Sequence, residues 1–150
     1  MIYTGYGSGI TIGRYGISTT KYQTAEGFMK IKKCNICGGQ VEFIDNKLIY
    51  GKTFGSGKAY RCKKCGAFVG THKNNPTEPL GILANEDMRI LRKQCHELFD
   101  RKWSNNKERL IQYKWMAYKL DIPLSKCHFA MFDKKMLEKA LDILKEEKCH

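Results

Sequence analysis

The chain has 150 residues, a formal net charge of +12 and seven cysteines. Its length fits one compact domain, or a small metal module packed on a second small core. An odd number of cysteines disfavours a secreted disulfide framework, and no apolar run approaches the roughly 18 residues that cross a membrane, so we expect a cytoplasmic protein with reduced thiols.

Residues 1–29 are rich in glycine and tyrosine, and we interpret them as an N-terminal extension. Five glycines between Gly5 and Gly16 alternate weakly with tyrosine and isoleucine, which permits a hairpin without requiring one. No Gly-Lys-Ser/Thr sequence follows the first glycines, so they do not form a phosphate loop. We expect this extension to be flexible or loosely paired.

Two Cys-x-x-Cys-Gly motifs, separated by 24 residues, carry the most specific chemistry in the chain. Each motif directs two thiolates at one ion, and the glycine that follows permits the necessary turn. Four sulfurs complete a tetrahedral shell with no open position, which is typical of structural zinc. A redox pair, a disulfide and an iron-sulfur cluster are the alternatives. We predict one structural Zn²⁺ bound by Cys34, Cys37, Cys62 and Cys65.

Short apolar segments around the two motifs predict a three-stranded zinc ribbon over residues 30–75. Val41–Ile44, a turn at Asp45-Asn46, and Leu48–Tyr50 are typical of a β-hairpin. A third strand is predicted directly after the second motif, from Ala67 to Gly70. The ribbon would therefore place both cysteine motifs beside one small sheet.

Pro76 and Pro79 break the chain and indicate a linker over residues 76–84. The remainder, residues 85–150, predicts three helices. Asn85 would cap a first helix that continues to about Trp103, because apolar residues recur every three or four positions.

A second helix is predicted from about Asn106 to Leu120, and a third from Asp133, as its cap, to about Lys148. Three helices of this length can enclose a small core. We therefore predict an α+β fold, in which a three-helix bundle-like region packs on the zinc ribbon.

Positive charge is concentrated in two stretches of the chain. Residues 34–75 carry seven basic and two acidic residues and residues 89–119 carry nine and three, whereas residues 120–150 are balanced at six each. A surface of this kind favours a polyanion, so we predict that DNA or RNA binds through its phosphates to a basic face of the ribbon and first helix. The predicted binding residues are Arg61, Lys63, Lys64, Arg89, Arg92, Lys93, Arg101 and Lys102.

Aromatic residues among the basic ones suit base stacking on single strands. Trp103, Tyr113 and Trp115 are the candidates in the helical region. Because three helices share a small core, however, we expect at least two of these rings to be buried.

Known catalytic motifs are absent from the sequence: it has no P-loop, His-Glu-x-x-His or Gly-x-Ser-x-Gly pattern. We therefore assign no catalytic residue and favour a protein that is not an enzyme. His96 and Asp100 stand four positions apart, near enough to pair on a helix. Together with His128 they define one alternative, a metal-dependent nuclease.

Several short strings occur in a fixed order along residues 34–133. They are Cys34-x-x-Cys37, Tyr60-Arg61-Cys62-x-x-Cys65-x-Ala67, Val69-Gly70-x-His72, Pro79-Leu80-Gly81, Ala84-Asn85, Arg89-x-x-Arg92, His96-x-x-Phe99-Asp100-x-x-Trp103, Arg109-x-x-x-Tyr113-x-Trp115-x-Ala117 and Cys127-His128-x-x-x-Phe132-Asp133. In this order they resemble a bacterial and phage zinc-finger-containing domain family of unassigned molecular function. The resemblance implies zinc binding by the four cysteines and a phage or prophage origin. It does not extend to the first 27 residues and implies no particular activity.

A second alternative function also fits a compact basic protein without catalytic motifs. This is a phage-type inhibitor or adaptor that binds an acidic surface of a host protein, such as an RNA-guided defence nuclease. The same basic face would then contact protein instead of nucleic acid, in the cytoplasm of the bacterial host. The sequence leaves the oligomeric state open.

Overall fold

An antiparallel sheet follows the first cysteine motif in residues 29–148, which are the residues that this computed structural model describes. The predicted extension over residues 1–29 therefore lies outside the described residues except for Met29. Within them, four strands pair in the order β1-β2-β3-β4, and the α+β class is confirmed. The strands are β1 (Val41–Asp45), β2 (Lys58–Cys62), β3 (Phe68–His72) and β4 (Asn75–Pro79).

The loop between β1 and β2 contains a short helix, α1 (Lys47–Tyr50), where the sequence predicted the second strand of a hairpin. That prediction is wrong, because β1 pairs with β2 instead, with Val41 opposite Cys62. The buried side chain of Asn46 stabilises the longer loop. Its amide nitrogen donates to the Phe54 carbonyl oxygen at 2.7 Å, and its oxygen accepts from the Phe54 backbone N–H at 3.3 Å.

Strand β4 occupies residues 75–79, and all of these except Asn75 belong to the stretch 76–84 that we interpreted as a linker. It lies at the edge of the sheet, where proline is tolerated because the outward side of the strand has no partner to receive a hydrogen bond. The Tyr60 hydroxyl donates to the Thr77 carbonyl oxygen at 2.7 Å and attaches β4 to the sheet. Proline therefore marks a sheet edge here, and the sheet has one strand more than predicted.

The three predicted long helices are confirmed as α2 (Glu86–Asp100), α3 (Asn106–Leu120) and α4 (Lys134–Lys148). Each begins after a side chain whose oxygen accepts from a backbone N–H of the first turn, at 2.9–3.0 Å. The caps are Asn85, Asn105 and Asp133. Helix α2 ends at Asp100 and not at Trp103 as expected.

The main hydrophobic core of the described residues lies among the three helices. Helix α2 packs on α4, and the chain between α3 and α4 adds two phenylalanines and a cysteine. Complete burial of a large apolar side chain contributes about 1.5–3 kcal/mol. The core consists of Ala84, Met88, Cys95, Phe99, Met116, Ala117, Leu120, Cys127, Phe129, Phe132, Leu137, Ala140, Leu141 and Leu144.

The residues before α2 connect the sheet to this core. Phe68 and Ala84 exchange two backbone hydrogen bonds, at 3.0 and 3.1 Å. The Asn35 side chain, inside the first cysteine motif, makes two more with the backbone of Leu83. The chain from Lys33 onwards consequently forms one compact unit.

Among residues 29–148, none of the helices combines the length and the apolar character needed to span a bilayer.

Candidate metal centre

The two cysteine motifs fold into nearly identical turns. The N–H of Gly38 donates to the Cys34 carbonyl oxygen at 3.0 Å, and the N–H of Gly66 donates to that of Cys62 at 3.1 Å. Both glycines have a positive φ, +75° and +80°, which side-chain-bearing residues rarely adopt. The glycine after each motif is therefore required by the backbone conformation, as the sequence indicated.

Backbone N–H groups in each turn point at the sulfurs. Ile36 donates to Cys34 Sγ and Gly39 to Cys37 Sγ, both at 3.3 Å. In the second turn, the N–H groups of Lys64 and Cys65 donate to Cys62 Sγ at 3.3 and 3.4 Å. Donors aimed at sulfur favour the thiolate, which is the form that binds a metal.

The four Sγ atoms lie within 4.8 Å of one another. The closest pairs are Cys37–Cys62 at 3.4 Å and Cys34–Cys65 at 3.7 Å. A zinc ion with Zn–S bonds of about 2.3 Å separates tetrahedral sulfurs by about 3.8 Å, so the observed spacing fits such an ion. A disulfide needs about 2.05 Å between sulfurs, so this alternative is excluded and the cysteines are free thiols.

The local environment makes the thiol pKa values in the second motif unequal. The backbone N–H of Cys65 is the main cause that lowers the pKa of Cys62 to about 6. At Cys65 the backbone N–H of Ala67 also lowers the thiol pKa. Desolvation and the neighbouring thiols outweigh this effect, however, and raise the pKa of Cys65 to about 12. The raised pKa disfavours the Cys65 thiolate in the absence of a cation, whereas a bound divalent metal would stabilise it.

Gly39 is a residue of the metal centre that the sequence analysis did not identify. A Cβ atom at this position would lie 2.8 Å from Lys64 Cβ and 3.0 Å from Cys62 Sγ. The corresponding position of the second motif is Ala67, which is buried. The Gly38-Gly39 pair in the sequence was the available signal, since the first glycine alone accounts for the turn.

The predicted binding residues fall into two groups in the structure. Lys63, Lys64, Lys93 and Arg101 are exposed and make no ion pair or ring contact in the described part of the chain. The other four, Arg61, Arg89, Arg92 and Lys102, contact carboxylates, backbone carbonyls or aromatic rings of the protein. Arg61 forms a two-nitrogen ion pair with Glu42, with Nη2 at 2.9 Å and Nε at 3.0 Å.

Arg89 and Arg92 on α2 bind backbone oxygens. Arg89 Nη1 donates to the Ala84 carbonyl at 2.7 Å, and its guanidinium lies 4.2 Å from the centre of the Phe68 ring. Arg92 Nη2 donates to the carbonyls of Ile82 and Ala130 at 3.2 and 2.9 Å. Burial, reinforced by the nearby charge of Arg89, lowers the pKa of Arg92. These contacts give both arginines a structural role.

Lys102 also contacts an acidic residue and an aromatic ring. Its Nζ lies 3.6 Å from a Glu147 carboxylate oxygen and 4.7 Å from the centre of the Trp115 ring. Trp103, Tyr113 and Trp115 all pack against the helical core but are only partly buried, whereas we expected at least two of the three to be buried.

His96, Asp100 and His128 do not form a metal site. His96 packs edge-on against Phe129 at 4.9 Å, and His128 lies 5.9 Å from Tyr113. Across residues 29–148, the four-cysteine cluster is the only group of three or more potential ligands close enough to hold an ion. A second, catalytic metal therefore lacks a built site in this part of the chain.

Three lysines adjoin the cysteines of the metal centre along the chain, and one of them, Lys33, was not among the predicted binding residues. Lys33 pairs with Gln40 in a bridge, and the Lys63 N–H donates to the Gln40 carbonyl at 2.9 Å. Lys33, Lys63 and Lys64 are exposed, and none is among the ion-paired residues of the described chain. We call these three the knuckle lysines.

A family model described as a zinc-finger-containing domain covers residues 30–147 and confirms the resemblance found in the sequence. No curated protein and no solved structure matches the chain.

Proposed function

We propose that this protein, which belongs to the zinc-finger-containing domain family, binds zinc with its four clustered cysteines and binds nucleic acid with the basic surface beside them. Zinc suits four thiolates in a closed tetrahedral shell. With every coordination position filled by protein, the ion stabilises the fold and leaves the chemistry of binding to the side chains around it.

The observation that carries the nucleic-acid proposal is the set of knuckle lysines. Three ammonium groups that have no carboxylate partner within residues 29–148 lie at the metal end of the sheet, on a backbone held rigid by the cysteine turns. Unneutralised lysines on a rigid frame suit the regularly spaced phosphates of a nucleic acid.

Lys93 and Arg101 add basic charge in and directly after α2. Lys93 lies on the helix and Arg101 follows its last residue, and both are exposed and not ion-paired in the described residues. Among the five predicted residues of the helical region, they are the two that are exposed. Contacts of this kind position a protein on the phosphate backbone without reading the sequence.

A salt titration tests the proposal. We expect the affinity for labelled DNA or RNA, measured by fluorescence anisotropy between 50 and 200 mM salt, to fall as the salt concentration rises. For duplex DNA, the logarithm of the binding constant should fall with the logarithm of the salt concentration with a slope of about 0.9 per contacted phosphate. Lys33→Ala, Lys63→Ala and Lys64→Ala combined should lower that slope. The matched control combines Lys135→Ala, Lys139→Ala and Lys145→Ala, which removes three exposed charges from α4.

Salt-insensitive binding, or equal effects of the two triple variants, would contradict the proposal. If the protein binds neither DNA nor RNA, the basic surface instead serves an acidic protein partner. Affinity purification from nuclease-treated lysate would then retain a protein only when the knuckle lysines are present.

A further inference from the structure

The loop between β1 and β2 holds two aromatic rings in a half-exposed position. Tyr50 is 49% exposed and Phe54 is 45% exposed. Asn46 fixes the Phe54 backbone through two hydrogen bonds, and its own N–H donates to the Gly57 carbonyl at 2.9 Å. The rings are therefore presented on a constrained loop, so little conformational entropy would be lost when a ligand covers them.

These rings belong to a continuous series of flat groups. Tyr50 lies 5.2 Å from Phe54 and 5.9 Å from Phe68, both nearly perpendicular to it. Phe68 in turn lies beneath the Arg89 guanidinium, at 4.2 Å. The series, which we call the aromatic ladder, thus runs from the loop (Phe54, Tyr50) across β3 (Phe68) to α2 (Arg89).

A cation lies at each end of the ladder. Lys52 Nζ is 5.0 Å from the centre of the Phe54 ring, at one end of the ladder, and Arg89 lies at the other end. Neither cation is ion-paired in the described part of the chain. Arg89 uses one nitrogen on the Ala84 carbonyl and retains other N–H donors. The ladder therefore offers apolar ring surface and positive charge side by side.

This combination selects among possible ligands. An apolar partner would gain from the rings but would desolvate Lys52 and Arg89 without compensation. A nucleotide matches both parts, because its base stacks on an aromatic ring while its phosphate meets a cation. Only unpaired bases expose their faces, since bases within a duplex are stacked on one another.

We propose that the aromatic ladder is a stacking site for unpaired bases of a single-stranded nucleic acid, an inference that rests on the nucleic-acid binding proposed above. Tyr50 and Phe54 contact the bases, and Lys52 and Arg89 contact the flanking phosphates. The knuckle lysines bind phosphate regardless of strandedness, whereas the ladder makes the protein prefer single strands.

The test compares three ligands of equal length by fluorescence anisotropy: a 12-nucleotide single strand, its duplex, and an abasic single strand. We expect Tyr50→Leu with Phe54→Leu to weaken single-strand binding by roughly fivefold to 150-fold. Binding to the abasic strand and the salt slope should stay as in the wild type. Leucine keeps apolar bulk in the loop, and Tyr118→Leu, at an 82% exposed ring on α3, is the matched control.

The possible outcomes separate this inference from the proposed function. If the double variant keeps its metal content and circular dichroism yet binds the single strand within twofold of the wild type, the ladder is not a stacking site. The same conclusion follows if the wild type binds the abasic strand as tightly as the normal one. In both cases, a lower salt slope in the knuckle-lysine variant than in the α4 control variant would still support the proposed function. Absence of all nucleic-acid binding would overturn both.

Discussion

Gly39 shows how closely the metal centre is packed at the scale of single residues. Its α-carbon faces the sulfurs of both cysteine motifs, and the space for a side chain is already filled. The cysteines themselves are held by backbone donors within their own turns. Metal binding therefore depends on backbone shape as much as on the four sulfurs.

Replacement of one ligand should abolish metal binding. We expect the purified wild type to contain about one zinc per chain and Cys62→Ser to contain far less, because three thiolates leave the tetrahedral shell open. Metal analysis by mass spectrometry measures the content. Cys95→Ser is the control, since Cys95 is buried in the helical core outside the cluster. Full zinc content in Cys62→Ser would disprove the assignment.

Gly39→Ala should destabilise the protein by about 1–3 kcal/mol, the usual cost of overpacking. The added methyl group would approach Lys64 Cβ at 2.8 Å and push on the Cys62 sulfur. Chemical denaturation with zinc present measures the free energy of unfolding. Gly70→Ala is the matched control, because its Cβ would meet only Leu80 at an ordinary 3.5 Å. Equal stability of the two variants would contradict this account.

At the scale of elements, helix α3 begins with the most complete set of capping hydrogen bonds. Asn105 accepts from the Glu108 N–H at 2.9 Å, and Glu108 Oε2 accepts from the Ser104 N–H at 2.8 Å and its hydroxyl at 2.7 Å. The Ser104 hydroxyl, followed by its N–H, lowers the pKa of Glu108 below the usual 4.5. The negative charge also lies in the first turn, where the helix dipole favours it.

The stability contributed by Glu108 should depend on pH. Because its pKa is lowered by folding, the charged carboxylate stabilises the protein above about pH 4.5, and this contribution is lost as the pH falls through the lowered pKa. Glu108→Gln should thus have a lower melting temperature than the wild type at neutral pH, and the difference should shrink in acid. Glu138→Gln, at an exposed α4 position, is the control. A difference that grows in acid would refute the prediction.

At the scale of the whole molecule, the sheet and the helices are stabilised in different ways. The helices share a core of 14 buried residues, which includes none from the strands. The sheet buries a few side chains, among them Tyr60 and Val69, and holds the cysteine cluster. A sheet with such limited burial is weakly stabilised by its own side chains, and a metal bound by the four cysteines would compensate for this.

Removal of the metal should therefore unfold the sheet more than the helices. In the presence of a strong chelator we expect the circular dichroism at 222 nm to be largely retained, because α2 and α4 keep their contacts. Hydrogen exchange should accelerate in β1–β3 and in both cysteine turns. Restored protection after zinc is added back would be the control for reversibility. Parallel loss of helical signal and strand protection would show that the two parts depend equally on the metal.

The sequence predicted the helices more accurately than the sheet. Helix boundaries follow from caps such as Asn85 and Asp133, which act on N–H groups three residues away. The β1–β2 pairing depends on Asn46, whose hydrogen bonds reach Phe54 eight residues on. The apolar pattern of Leu48–Tyr50 could not reveal the hydrogen bonds between Asn46 and Phe54, so a strand was predicted where a helical turn forms.

By itself the sequence determined the four cysteines that cluster and the α+β class, because a Cys-x-x-Cys-Gly turn and an amphipathic helix are specified within a few residues. Only the tertiary structure decided which cations stay available and which rings meet. Arg61 pairs with Glu42, which is 19 residues away in the sequence, and Arg92 donates to the carbonyl of Ala130, which is 38 residues away. Such partners are brought together by packing, and no local pattern in the sequence records them.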